Sequence, residues 1–222
     1  MDFADLARRL VLALVPMILS LSVHEFSHAF AAYRLGDTTA KEAGRLTLNP
    51  QSHIDPWGTI VIPAISVLMG GIAFIGWARP VPFRAERFRK GVNRRLGAAI
   101  VSAAGPLSNL ALAVIAASGM AVLQRAHILE DPLGNPAPFA ILLRSMFFLN
   151  VGLAIFNLLP VPPLDGARLL PPFLDPIVPP LERYGFGVLM VIFLFLPKVA
   201  STVFYVPLRF IAGLIAGLFG LV

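Results

Sequence analysis

Long apolar runs separated by short charged or proline-rich stretches organise this chain of 222 residues. They cover about Leu10–Tyr33, Thr59–Trp77, Leu96–Leu123 and Phe139–Leu159, with two shorter runs near residues 185–196 and 199–221. Several approach or exceed the ~20 residues that a helix needs to cross a bilayer. The first helix is predicted to run to about Arg34, where Gly36-Asp37 ends it. Residues 37–56 are loop-like, with Gly44–Leu48 reading as a short strand closed by Asn49-Pro50. Ala78–Phe83 is extended, because Pro80 and Pro82 bracket one residue. Residues 84–95 carry seven charged side chains and suit an interfacial helix on anionic headgroups. A proline-rich turn spans Asp131–Pro138, and a loop rich in proline and charge covers 167–183. The last two runs are split by Pro197-Lys198, giving either a helical hairpin or one long broken helix. No internal repeat is present.

Composition turns this pattern into a class. The chain is 57% hydrophobic and 14% charged, with a mean hydropathy of +0.80, outside soluble-domain usage. It is read as a polytopic helical membrane protein with one membrane-embedded domain over 1–222. Its core covers about 10–170, and a C-terminal helical hairpin covers about 183–222. No room is left for a separate soluble domain, so the membrane core must carry any chemistry. The formal charge of +6 comes from basic residues between apolar segments, as cytoplasmic loops require. No aromatic–basic interleaving argues for nucleic acid. With zero cysteines, disulfides, thiolate metal ligands and a cysteine nucleophile are excluded. The first run contains the candidate chemistry and no small-residue cleavage site, so it is not read as a cleaved signal.

That chemistry is His24-Glu25-Phe26-Ser27-His28. Histidines four apart on a helix share a face, so both imidazoles can hold one metal ion, and Glu25 is placed to take a proton from an activated water. Ionisable residues inside a membrane-length apolar segment are costly and point to function. A catalytic zinc site uses three protein ligands, and the third can come from His53, Asp55, His127 or Asp165. The two histidines lie roughly 9–15 Å inside the helix end near Arg34, at 1.5 Å per residue. His127 sits among Gln124, Arg125, Glu130 and Asp131, as in a wet loop. Asp165 follows Pro160 and a stretch that cannot stay helical. Irregular backbone at membrane depth survives only where protein or a water-filled cavity covers it. By pattern alone, Leu164-Asp165-Gly166 reads equally well as a plain turn. For Asp165 to reach the histidines, both helix ends must face one side, so an even number of crossings separates them. The 59–77 run is then a re-entrant or shallow element. Ten of the eighteen Lys and Arg residues fall in 34–95, which assigns that region to the cytoplasm.

With these residues in hand, the chain resembles the site-2 protease family of intramembrane zinc metallopeptidases, in the small form lacking PDZ and CBS domains. The resemblance runs over about residues 15–170. Its carriers are His24–His28, Leu48-Asn49-Pro50 to Gly58, Gly76–Pro82, Gly105-Pro106-Leu107-Ser108-Asn109 and Asn157–Gly166. It implies that His24, His28 and Asp165 bind one zinc ion and that Glu25 is the catalytic base. It also implies that Asn109 lies near the site, contacting substrate or the reacting carbonyl. The family fold implies an all-α polytopic core with a small membrane-associated β-hairpin between the motif helix and the Gly105-Pro106 helix. The first transmembrane helix of larger members is not expected here. The implied activity is hydrolysis of peptide bonds within transmembrane segments of membrane proteins, in a bacterial cytoplasmic membrane. Edge pairing with a strand at 44–48 would hold an unwound substrate. Asn157 and His53 are secondary site candidates. Asn157 is read as lining a water inlet, and His53 as tuning the site or serving only as a loop residue. The rival readings are a membrane protein that passes or binds metal without proteolysis, and a scaffold that has lost activity. Loss of Glu25 would mark the scaffold, and Glu25 is present.

Overall fold

A computed structural model of the chain describes residues 2–69, 76–130, 135–177 and 184–221, except 186, 188, 190, 193 and 194. Among these, four helices are long and apolar enough to cross a membrane. They are α1 (Phe3–Leu35), α3 (Arg94–Arg125), α4 (Pro138–Leu158) and a C-terminal span, Lys198–Leu218, ending in α5 (Val206–Leu218). The short α2 (Ile62–Leu68) lies between α1 and α3.

Local chemistry sets these boundaries. Gly36 stops α1 by adopting φ 108°, a left-handed conformation that suits glycine. Its N–H then bonds Tyr33 O, and the Asp37 N–H bonds Ala32 O, the paired bonds of a Schellman ending. Asn93 caps α3 by accepting from the Leu96 N–H at 3.0 Å. Pro138 starts α4, and the chain after Leu158 runs into Pro160. In lipid, helices gain little from burying apolar surface against each other, so close packing of small residues matters more. Ala113, Ala116 and Ala117 of α3 accordingly let Phe147, Val151 and Ile155 of α4 approach closely, and Phe204, Leu208, Ala212 and Ile215 close the cluster. A second cluster joins Met17 and Leu21 of α1 to Leu149 and Leu153 of α4, with Ala78 covering it.

The connection between α1 and α3 folds back over their ends. Asp37 is fully buried, and its carboxylate accepts from the Thr39 N–H and hydroxyl and, at 2.6 Å, from the Arg84 N–H. The 59–77 run enters through a π-turn, Pro56–Val61, and continues into α2. Its ends meet again: the Trp77 N–H bonds Gly58 O at 3.2 Å, and the Thr59 hydroxyl bonds Trp77 O at 2.8 Å. Residues 70–75 lie outside the described ones.

Three expectations need revision or limits. The membrane-associated β-hairpin is absent, since the described residues form no strand. At 44–48 the backbone is turn and bend, and two of its polar groups have partners nearby. Thr47 O accepts from His53 Nε2 at 2.8 Å, and the Arg45 N–H bonds Ala40 O. With no strand there, the expected edge for a substrate strand is missing. The charged 84–95 stretch is not an interfacial helix either; it makes one 3-10 turn, Ala85–Arg87, before α3 begins. The choice between hairpin and broken helix at 183–222 falls partly outside the described residues. From Pro197 to Leu218 the chain is helical, passing through a π-turn at Ser201–Tyr205.

Because the chain has no native cysteine, this topology can be read by labelling. Single cysteines at Gln51 and Glu86 should react with an impermeant maleimide from one side of the membrane, and a cysteine at Gln124 from the other. Labelling of positions 51 and 86 from opposite faces would contradict the fold.

Candidate active site

His24 and His28 are both buried on α1, with ring centroids 4.6 Å apart and ring planes at 86°. Their Nε2 atoms lie 3.0 Å from each other. Asp165 brings Oδ2 to 3.2 Å from His24 Nε2 and 3.3 Å from His28 Nε2. It does so from the first position of a 3-10 turn, Asp165–Leu169, that folds back on the end of α4. Gly166 permits this return, since a Cβ there would stand 2.3 Å from Leu158 O. Gly105 of α3 faces the cluster, and a Cβ on it would lie 2.5 Å from His28 Nε2 and 2.6 Å from His24 Nε2.

Hydrogen bonding behind the rings decides what the facing nitrogens carry. His28 Nδ1 is 2.7 Å from Val101 O, a pure acceptor, so Nδ1 holds the proton. His24 Nδ1 is 2.7 Å from Asn109 Oδ1 and donates to it. Both neutral rings therefore turn the Nε2 lone pair inward, toward a carboxylate oxygen that is buried and has no hydrogen-bond donor. One proton shared among the three atoms satisfies a single pair and leaves the third without a partner. A cation satisfies all three. Two neutral imidazoles and one carboxylate are a zinc-type donor set with room for a further ligand.

Glu25 is buried beside the first histidine, and its Oε2 accepts from the Val81 N–H at 2.9 Å. In Pro80-Val81-Pro82 that N–H is the single backbone donor. The extended connector that presents it is anchored by the Arg79 N–H on His53 O at 2.9 Å. A cavity opens over these groups, lined also by Phe83, Ser102, Asn157 and Arg168.

This constellation coincides with a family pattern. The model of "Peptidase family M50" matches residues 12–140 and 132–196, which include every residue of the cluster. The chain belongs to peptidase family M50. Among curated proteins, this peptidase is 43% identical over 187 residues to "Putative zinc metalloprotease YwhC" of Bacillus subtilis (strain 168), covering 81% of the chain and 78% of that protein. It is 34% identical over 186 residues to "Putative zinc metalloprotease Rip2" of Mycolicibacterium smegmatis, covering 82% of the chain and 66% of that protein. The Rip2 of Mycobacterium tuberculosis (strain H37Rv) is 34% identical over 191 residues, with coverage of 83% and 67%. No solved structure matches the peptidase significantly. Four apolar spans and bacterial relatives make it a multi-pass protein of a bacterial membrane.

The other candidate residues separate clearly. His53 is buried in the α1–α3 connection with Nε2 on Thr47 O, outside the three-residue cluster. Asp55 caps the π-turn, accepting from the Trp57 and Gly58 N–H groups at 3.1 and 2.7 Å. His127 is exposed just beyond α3, with φ 56°. Asn157 lines the cavity, its amide donating to Leu153 O at 3.0 Å. Asn109 is fully buried behind His24 and does not line the cavity. Two contributors, Val101 and Asn150, were not singled out from sequence. Val101 O leaves no signal in residue type. Asn150 does leave one, as one of two amides in the apolar α4.

Gly105→Ala should displace the imidazoles and weaken zinc binding about 10–100-fold, the cost of disturbing the support of metal ligands. Chelator competition on the purified protein measures this. Unchanged affinity would mean that the cluster tolerates a methyl group where the geometry leaves no space.

Proposed function

We propose that this peptidase is an intramembrane zinc metalloprotease that hydrolyses peptide bonds within transmembrane segments of other membrane proteins, as in regulated intramembrane proteolysis. One observation carries the reading: two imidazole lone pairs and a buried carboxylate converge beside Glu25, on helices long enough to span a bilayer. The relatives named as zinc metalloproteases support it. A metal-passing role needs ionisable groups along a path through the membrane. Among the described residues, the single group of three potential ligands is this one.

In this reading His24, His28 and Asp165 hold one zinc ion. Bound there, zinc supplies the Lewis acidity that polarises a scissile carbonyl and makes water nucleophilic near neutral pH. Glu25 accepts the proton of the attacking water and delivers it to the leaving amine. The Val81 N–H fixes one carboxylate oxygen and leaves the other for that exchange. Asn109 orients His24 rather than touching substrate, since its carboxamide is buried among protein groups. Water reaches the site along a polar inlet past Asn157 and Ser102. Pro106, four residues beyond Ser102, has no N–H to give the Ser102 carbonyl, which adds an acceptor there. A helical substrate hides its carbonyls in i→i−4 bonds, so a segment must unwind before it reaches Glu25.

Zinc content and cleavage of a model transmembrane peptide in detergent test this. Glu25→Gln should keep zinc and lose about 10²–10⁴-fold in turnover, the range for a removed general base. Asp165→Ala should lose zinc as well as cleavage. A Glu25→Gln protein that cleaves at the native rate, or a native protein that binds no zinc, would defeat the proposal.

A further inference from the structure

Beyond the ligands, a chain of amides runs from His24 through α3 to α4. Asn109 Oδ1 sits 2.7 Å from His24 Nδ1. Asn109 Nδ2 donates to Asn150 Oδ1 at 2.8 Å, and reaches Ser20 O at 3.5 Å. Asn150 Nδ2 donates to Met146 O and to Ser20 Oγ, each at 2.8 Å. Ser20, Asn109 and Asn150 are all fully buried, so no water can substitute for a missing partner.

The direction of this chain has a chemical consequence. An asparagine carboxamide can present either its oxygen or its NH₂ to a neighbour. Were Asn109 reversed, its NH₂ would face His24, Nδ1 would have to accept, and the ring proton would move to Nε2. That proton would occupy the lone pair that faces Asp165 and His28. The orientation of Asn109 therefore selects the His24 tautomer able to bind metal. Asn150 Oδ1 dictates the orientation of Asn109. Met146 O, which can only accept, dictates that of Asn150. Ser20 O is a weaker second acceptor at its longer distance.

We propose that Asn150 is a positioning residue: acting through Asn109, it holds His24 in the tautomer with a free Nε2 and so sets the metal affinity of the site. The inference rests on the zinc-protease reading above for the identity of the metal. The competing role, an amide that only ties α4 to α1 and α3, is common in membrane helices and makes a different prediction.

The test measures zinc affinity of the full chain in detergent by chelator competition, with the visible spectrum of the Co²⁺-loaded protein as a second readout. Asn150→Ala should weaken zinc about 10–100-fold and alter the Co²⁺ bands. Asn150→Leu serves as a second variant that keeps the helix filled, because leucine has nearly the same shape and no polar atom. It removes the acceptor for Asn109 and should show the same loss. In an Asn109→Asp background, either carboxylate oxygen accepts from His24, so no orientation remains to be set. There Asn150→Ala should change zinc affinity by less than about threefold, against the 10–100-fold loss beside Asn109. Equal losses in both backgrounds would establish a purely structural role and overturn the inference, as would no loss in the Asn109 protein. A native protein that binds and cleaves while Asn150 variants match it sinks this inference alone. A native protein that binds no zinc sinks both.

Discussion

A carboxylate oxygen 3.2 Å from one imidazole nitrogen and 3.3 Å from another is unfavourable when all three atoms turn lone pairs toward each other. Bulk water would relieve the repulsion, but these side chains are largely shielded from it. The arrangement holds together because other bonds leave no alternative. Val101 O and Asn109 Oδ1 claim the Nδ1 protons, Gly166 lets the Asp165 turn press against α4, and Gly105 leaves the space beside the rings open. Positive charge at the meeting point converts this repulsion into binding, which is the condition a metalloprotease needs.

Each spanning helix contributes in proportion to what its sequence can offer. In the proposed site, α1 supplies two ligands and the base from consecutive turns. α3 supplies no ligand, yet its small residues admit close neighbours, and Gly105, Val101 and Asn109 complete the surroundings of both rings. α4 ends where its prolines force it to, which delivers Asp165 at depth. The connection between α1 and α3 closes the other side. Asp37 and His53 hold its backbone, and the connector from Ala78 to Phe83 carries the Val81–Glu25 bond. The loop is thus tied into the chemistry at its one free N–H between two prolines.

Much of this was legible in residue order. The spans followed from apolar runs, and the pairing of His24 with His28 from helical spacing. The return of the 59–77 run to its starting level followed from the need to bring Asp165 to the histidines. The β-hairpin did not survive, for a physical reason. The 44–48 segment has β-prone residues, but Thr47 O is claimed by the buried His53 and the Arg45 N–H by Ala40 O. Local propensity lost to tertiary hydrogen bonds. Asn109 packs behind His24, and its burial was hidden because a sequence shows which face a residue occupies only when its neighbours alternate clearly. α3 is apolar nearly all round, so its polar residue carried no direction.

The most direct test of the central claim is X-ray absorption at the zinc edge of the metal-loaded protein in detergent. The account predicts a four-coordinate first shell with two imidazole nitrogens at about 2.0–2.1 Å and oxygen at about 2.0–2.2 Å, with the outer-shell scattering that imidazole rings produce. An oxygen-only shell, or one showing a single imidazole, would mean that His24 and His28 do not share a metal, and the account of the site would fall.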